Sequence, residues 1–109
     1  MATKDWSKVK CLGNYGGWSS EKAMLKDFDA PADALKGCTV LIAYYDGHYG
    51  GEAFVLYRKS GKLYEVNGSH CSCYGLEDQW NPEVTSKEAL LMRKRWSQGD
   101  GVRAAVEAL

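Results

Sequence analysis

The residues of this chain with reactive or metal-binding side chains are concentrated in the stretch 68–83. It contains His70, Cys71, Cys73 and Trp80, which are one of two histidines, two of four cysteines and one of four tryptophans. Two glycines and a proline interrupt the stretch, and its small and polar residues match no amphipathic helix. The pattern predicts an extended start followed by an ordered loop, the kind of segment on which functional side chains often lie.

A metal site is the first chemistry that these residues permit. Cys71 and Cys73 are two apart, so both thiolates would face one side of an extended strand while His70 faces the other. A closed zinc site needs four ligands, usually with a Cys-x-x-Cys pair. The other ligands would come from distant positions: Cys11, Cys38 or His48. We therefore expect no metal and no other cofactor, with a small zinc-binding module as an alternative.

Nucleophilic catalysis is the second possibility. Cys71 or Cys73 would be the nucleophile of a cysteine-dependent hydrolase or transferase, with His48 or His70 as the base. The orienting carboxylate would be one of three acids: Asp46, Glu52 or Glu77. No family signature surrounds these cysteines, and the adjacent His70 and Cys71 would point apart on a strand. We therefore favour a protein that is not an enzyme and predict no catalytic residue.

A binding role uses the aromatic side chains. The chain has seven tyrosines and four tryptophans, more than one small core needs, and both types anchor interfaces while keeping a polar tip in water. The predicted binding residues lie in the stretch 68–83 and in the glycine-rich hairpin 46–51. They are His48, Tyr49, His70, Cys71, Cys73, Tyr74, Glu77 and Trp80.

Trp80 itself has two possible positions. It could be tucked beneath the loop as a structural anchor, or it could project outward as an interface residue. We favour the anchor, because Leu76 and Pro82 lie nearby and could give the indole an apolar seat.

Composition limits the function classes. The 109 residues are enough for a single domain with an ordinary core, and 14 basic residues balance 14 acidic ones. That balance makes a general nucleic-acid binder unlikely and argues against a DNA mimic, while it leaves self-association open. No apolar run approaches a membrane span, and the polar segment Met1–Trp6 has no signal-peptide character. We expect a cytoplasmic protein with reduced cysteines and no membrane contact.

The run Tyr64-Glu65-Val66-Asn67-Gly68-Ser69-His70-Cys71-Ser72-Cys73-Tyr74-Gly75-Leu76-Glu77 resembles a segment of small uncharacterised proteins of tailed bacteriophages and prophages. The resemblance continues through Gln79-Trp80 and Pro82-Glu83. It implies a phage accessory protein acting in the cytoplasm of the bacterial host. Such a protein would bind a host or phage protein, for instance to inhibit a defence system such as CRISPR.

Three strands are predicted at 39–45, 52–58 and 63–67, where β-branched and aromatic residues alternate. Because short loops join them, they must form an antiparallel meander. A fourth strand over 69–74 would lie at an edge.

Helices are predicted on both sides of these strands. Ser19 or Ser20 would cap a helix over 21–27, and Pro31 would begin a second short helix that ends before Gly37. These short N-terminal helices precede the meander.

Two C-terminal helices complete an α+β fold and should pack on one face of the sheet. Thr85 or Ser86 would cap the first, which runs to about Trp96. Its inward stripe would be Ala89, Met92 and Trp96. The last helix would turn four residues inward: Val102, Ala105, Val106 and Leu109.

Overall fold

A five-stranded mixed sheet forms the centre of the protein. The computed structural model describes residues 6–13, 18–46, 51–71, 75–93 and 100–109. The strands are β1 (Lys10–Leu12), β2 (Thr39–Tyr45), β3 (Gly51–Lys59), β4 (Lys62–His70) and β5 (Glu83–Thr85), and they lie in the order β1-β2-β3-β4-β5. All neighbours are antiparallel except β1 and β2, which are parallel. The predicted α+β fold with a central meander is confirmed, and two three-residue edge strands are added to it.

The sequence predicted the three long strands well, because each is a run of β-branched and aromatic residues. The bounds of β2 match the prediction, and β3 and β4 extend beyond theirs. The separate edge strand predicted over 69–74 is wrong for its first residues, since Ser69 and His70 are the end of β4 and His70 pairs with Gly51, and residues 72–74 lie outside the described residues.

Gly68 explains this error. It does not turn the chain but makes room for packing, because a Cβ there would lie 3.0 Å from Leu76 Cδ2 and 3.2 Å from Phe28 Cε1. A Cβ at these distances would require its neighbours to shift by a few tenths of an ångström.

The first helix is confirmed and the second is not. Helix α1 (Glu21–Asp27) begins after Ser20, whose hydroxyl accepts a hydrogen bond from the Ala23 N–H at 3.1 Å. Residues 32–37 form successive turns instead of a helix, with the Ala34 N–H donating to the Pro31 carbonyl at 3.0 Å. Leu35, which is fully buried, fixes this segment against the core.

Helix α2 (Lys87–Leu91) is shorter than predicted. Ser86 caps it, and its hydroxyl accepts from the Ala89 N–H at 3.0 Å. The predicted inward stripe is wrong: Leu90 is buried, whereas Ala89 is exposed and Met92 is 81% exposed. The helix ends at Leu91, and Met92 is its C-cap. The predicted end at Trp96 lies outside the described residues.

Helix α3 (Asp100–Glu107) packs largely as its spacing predicts. Val102 and Val106 are fully buried, and Ala105 packs beside them. Leu109, however, is 40% exposed, because it follows the end of the helix and no longer keeps the helical register.

The two faces of the sheet carry separate hydrophobic clusters. The face that we call the α1 face buries Met24, Leu25 and Phe28 of the α1 segment against Val55 and Val66. The opposite face, the α3 face, buries residues of the two C-terminal helices against the sheet: Ile42, Phe54, Leu56, Leu90, Val102 and Val106. The predicted placement of the C-terminal helices on one face is therefore confirmed, and the N-terminal segment covers the other.

Within the part of the chain that the structure describes, no helix is both long enough and apolar enough to span a membrane.

Candidate functional site

The side chain of Gln79 attaches the loop 75–82 to β4. Its amide oxygen accepts from the Ser69 N–H at 2.8 Å, and its amide nitrogen donates to the Ser69 carbonyl at 2.7 Å. The same nitrogen also donates to the Gly75 carbonyl at 2.9 Å. Gln79 thus satisfies both backbone groups of Ser69 in the way that a neighbouring strand would.

Trp80 packs on the α1 face beneath the loop. Its ring meets Phe28 edge-on at a centroid distance of 5.2 Å and stacks parallel to Tyr57 at 6.3 Å. Tyr57 in turn stacks on Tyr64 at 5.3 Å. The indole is half-buried, so this packing supports the anchor position that we favoured from the sequence.

Apart from Leu76, which is buried, most other residues of the loop are turned toward solvent. Glu77, Asp78 and Glu83 are exposed, as are Asn81 and Pro82. Val84 of β5 is 65% exposed, a high value for an apolar side chain. No lysine or arginine occurs between Gly75 and Ser86. The loop face, as we call it, is formed by exposed residues that carry three acidic groups and no basic one: Glu77, Asp78, Asn81, Pro82 and Glu83.

Local hydrogen bonds hold the tip of the loop. The Glu77 carboxylate accepts from the Gly75 N–H at 3.0 Å. Asp78 adopts a left-handed conformation with φ of 62°, which aspartate tolerates better than most residues. The Glu77 carboxylate is therefore held against the backbone at the tip of the loop.

His70 lies at the end of β4 on the α1 face. Its ring is 5.2 Å from that of Tyr45, which stacks on Trp18 at 4.8 Å. The Nε2 atom contacts the Asp46 carbonyl, so this nitrogen is the donor. Burial raises the pKa of the Tyr45 phenol, and the carboxylates of Asp27 and Asp46 raise it further, so Tyr45 remains neutral.

The structure describes only half of the predicted binding residues. Trp80, His70, Cys71 and Glu77 are described. The other four lie outside the described residues: His48, Tyr49, Cys73 and Tyr74. Trp80 and His70 lie on the α1 face, whereas Glu77 belongs to the loop face.

Neither chemical alternative gains support from the described residues. None of their histidines, cysteines and acids forms a group of three or more that could hold a metal ion. His70 and Cys71 are neighbours at the end of an extended strand, where successive side chains point to opposite sides. That geometry does not form the hydrogen-bonded base and nucleophile of a cysteine enzyme.

A buried carboxylate, Glu65, was missed by the sequence analysis. It is only 6% exposed and forms an ion pair with Arg93. The Asn67 amide also donates to it, at 2.8 Å. Burial by itself would raise the pKa of Glu65, but hydrogen bonds from Asn67, Thr85 and Arg93 and the Arg93 charge together lower it. Arg93 thus belongs to a partly buried network with Glu65.

Comparison of the chain with family models, curated protein sequences and solved structures finds no significant match.

The Gln79 contacts give a direct test of the loop's rigidity. We expect Gln79→Ala to lower the free energy of unfolding by about 1–2 kcal/mol, since it removes hydrogen bonds that water can replace only in part. The amide of Ser69 should exchange with solvent faster than in the wild type. Urea denaturation and amide hydrogen exchange measure the two effects.

Asn81→Ala is the matched control, because the Asn81 side chain makes a single long hydrogen bond of 3.4 Å to the Asp78 carbonyl. It should leave the exchange of Ser69 unchanged. Unaltered Ser69 exchange in Gln79→Ala would show that the loop does not depend on this side chain.

Proposed function

We propose that the protein is a small phage accessory protein that binds a host or phage protein through the loop face. The observation that carries this proposal is the rigid attachment of an exposed acidic loop by Gln79 and Trp80. A surface already held in one conformation loses little conformational entropy when a partner binds. The phage context and the bacterial cytoplasm come from the sequence resemblance and are part of the proposal.

The charge of the loop face defines the partner that would fit it. Glu77, Asp78 and Glu83 are exposed, with no positive residue between Gly75 and Ser86 to neutralise them. Val84 is also exposed, but it projects from the opposite side of β5 to Glu83. A partner surface rich in lysine or arginine would complement the acidic residues.

Inhibition of a bacterial defence system such as CRISPR is the narrower form of this proposal. Nuclease complexes of such systems hold nucleic acid in positively charged channels. An acidic loop of fixed shape could occupy such a surface locally, even though the whole chain has no net charge. Expression of the protein should then raise the plating efficiency of a targeted phage only in cells whose CRISPR system is active.

Affinity capture tests the broader proposal. The tagged protein should retain one stoichiometric partner from a bacterial or phage-infected lysate. Neutralising the loop face with Glu77→Gln, Asp78→Asn and Glu83→Gln should weaken that binding by about tenfold, because several charge pairs are lost at once. Binding should also weaken as salt is raised.

A charge-matched control keeps the result specific. Asp29, Asp33 and Glu88 are exposed acids outside the loop face, so Asp29→Asn, Asp33→Asn and Glu88→Gln change the net charge equally. This control should capture the partner like the wild type. Equal capture by the neutralised loop variant would contradict the proposal, as would the absence of any stoichiometric partner.

A further inference from the structure

A groove of about 580 Å³ lies on the α3 face, between α3 and the first two strands. Its volume is within the range of small-molecule sites. Apolar side chains of the sheet line one side: Leu12, Leu41 and Ile42. Small residues of the α3 segment line the other: Gly101, Ala104, Ala105 and Ala108. Two exposed lysines, Lys8 and Lys10, complete most of the lining.

The sequence explains why this space is open. Helix α3 reaches the sheet through Val102 and Val106, while the residues that it turns to the groove are small. A Cβ added at Gly101 would have no atom within 4 Å. On the other side, the pairing of β2 with β3 shifts between Val40 and Ile42, so Leu41 is an extra, bulged residue. Both Leu41 and Ile42 therefore contribute to the same apolar surface.

The charged side chains that line the groove are of one sign. Lys10 and Leu12 are two apart on β1 and face the same side of the sheet, which places an ammonium group beside an apolar floor. Lys8 adds a second positive charge, and no aspartate or glutamate is among the lining residues. Within the described residues, neither lysine forms an ion pair with a carboxylate.

From these features we infer that the groove binds a single-chain fatty carboxylate. The hydrocarbon chain would lie on Leu12, Leu41 and Ile42, and the carboxylate would bind Lys8 and Lys10. An apolar lining with a few charged groups at fixed places is typical of sites for such ligands. The loop face lies elsewhere on the molecule, so this inference and the proposed function can fail independently.

Titration calorimetry with dodecanoate tests the inference on the intact protein. Saturable binding of one molecule per chain is expected. Affinity should rise about threefold for each methylene added from octanoate to dodecanoate, because each added group buries apolar surface. Dodecanol, which lacks the charge, should bind about tenfold more weakly. Absence of saturable dodecanoate binding would overturn the inference.

Variants then locate the site. Lys8→Gln with Lys10→Gln should weaken dodecanoate binding about tenfold and leave dodecanol binding unchanged. Lys59→Gln with Lys62→Gln removes two exposed charges at the β3–β4 turn and should have no effect. An equal loss in both pairs would mean a non-specific charge effect and would overturn the inference.

Filling the groove is the last arm of the test. Ala104 and Ala108 are exposed and line the groove, so Ala104→Phe or Ala108→Phe should abolish dodecanoate binding while circular dichroism shows a retained fold. Undiminished binding in both folded variants would overturn the inference. So would a dimer, seen by sedimentation, that Ala104→Phe dissociates and dodecanoate does not, since the groove would then hold a second copy of the chain.

Discussion

Replacing Trp80 with alanine should destabilise the protein strongly. The indole packs against Phe28, which is fully buried, and against Tyr57, which is 5% exposed. Removing it would leave a cavity under the loop and expose part of the α1 face. For a half-buried tryptophan we expect a loss of about 3 kcal/mol in the free energy of unfolding. The melting temperature should then fall by about 10 °C or more.

Two other variants serve as comparisons for Trp80→Ala. Trp80→Phe keeps an aromatic ring against Phe28 and should lose less than half as much stability. Met92→Ala alters a side chain that is 81% exposed and should change the stability by less than about 0.5 kcal/mol. Thermal denaturation compares all three.

The same measurement decides between the two positions considered for Trp80. A melting temperature within about 2 °C of the wild type would refute the anchor position, since the expected fall in melting temperature is several times larger. Weaker partner capture by such a stable variant would instead identify Trp80 as an interface residue.

The central strands could be predicted from the sequence because their signal is local. Residues 39–45 form a run of β-branched and aromatic residues, and β2 has those same bounds. The Ser20 cap and the Val102 and Val106 stripe are likewise short-range patterns.

The edge strands could not be predicted in this way. Strands β1 and β5 have three residues each, too few to show an alternation. They form because neighbouring strands offer unpaired backbone groups, and that depends on the tertiary fold. The parallel pairing of Cys11 with Ala43 joins residues far apart in the sequence.

The hydrogen bonds that hold the loop 75–82 could not be predicted from the sequence. The sequence selected the stretch 68–83 for its histidine and cysteines, but Gln79 holds the loop. A glutamine in a polar loop gives no signal of such a role, because the geometry of its two hydrogen bonds to Ser69 exists only in the folded chain. Gly68 was similarly ambiguous, since a turn and a close contact both favour glycine.

Glu65 shows most clearly what a local pattern misses. The alternation of residues along its strand predicts which face of the sheet Glu65 lies on, but only the fold brings Arg93 to that face. The side chain of Glu65 is 8% exposed and that of Arg93 is 32% exposed. The carboxylate thus depends on this partner more than the guanidinium does, because the guanidinium retains contact with water.

That asymmetry predicts unequal effects of removing the two partners. Arg93→Met leaves a buried carboxylate without its cation and should cost about 3 kcal/mol of unfolding free energy at neutral pH. Glu65→Gln leaves a partly hydrated guanidinium and should cost about 1–2 kcal/mol. Urea denaturation at pH 7 measures both.

The contribution of Glu65 to the stability of the fold depends on pH. The pKa of Glu65 in the folded protein lies below its ordinary value of 4.5, so the carboxylate stabilises the fold above that pH. This stabilisation is lost as the pH falls from 4.5 through the lowered folded pKa. The difference in stability between the wild type and Glu65→Gln should therefore narrow under acid conditions.

The double variant separates a coupled pair from two independent residues. The double variant Glu65→Gln with Arg93→Met has no charge left in the network. The double variant should therefore be more stable than Arg93→Met alone. It should also lack the pH dependence that Glu65 gives the wild type. If the double variant instead loses the sum of the two single losses, Glu65 and Arg93 contribute separately, and the buried carboxylate does not need its partner.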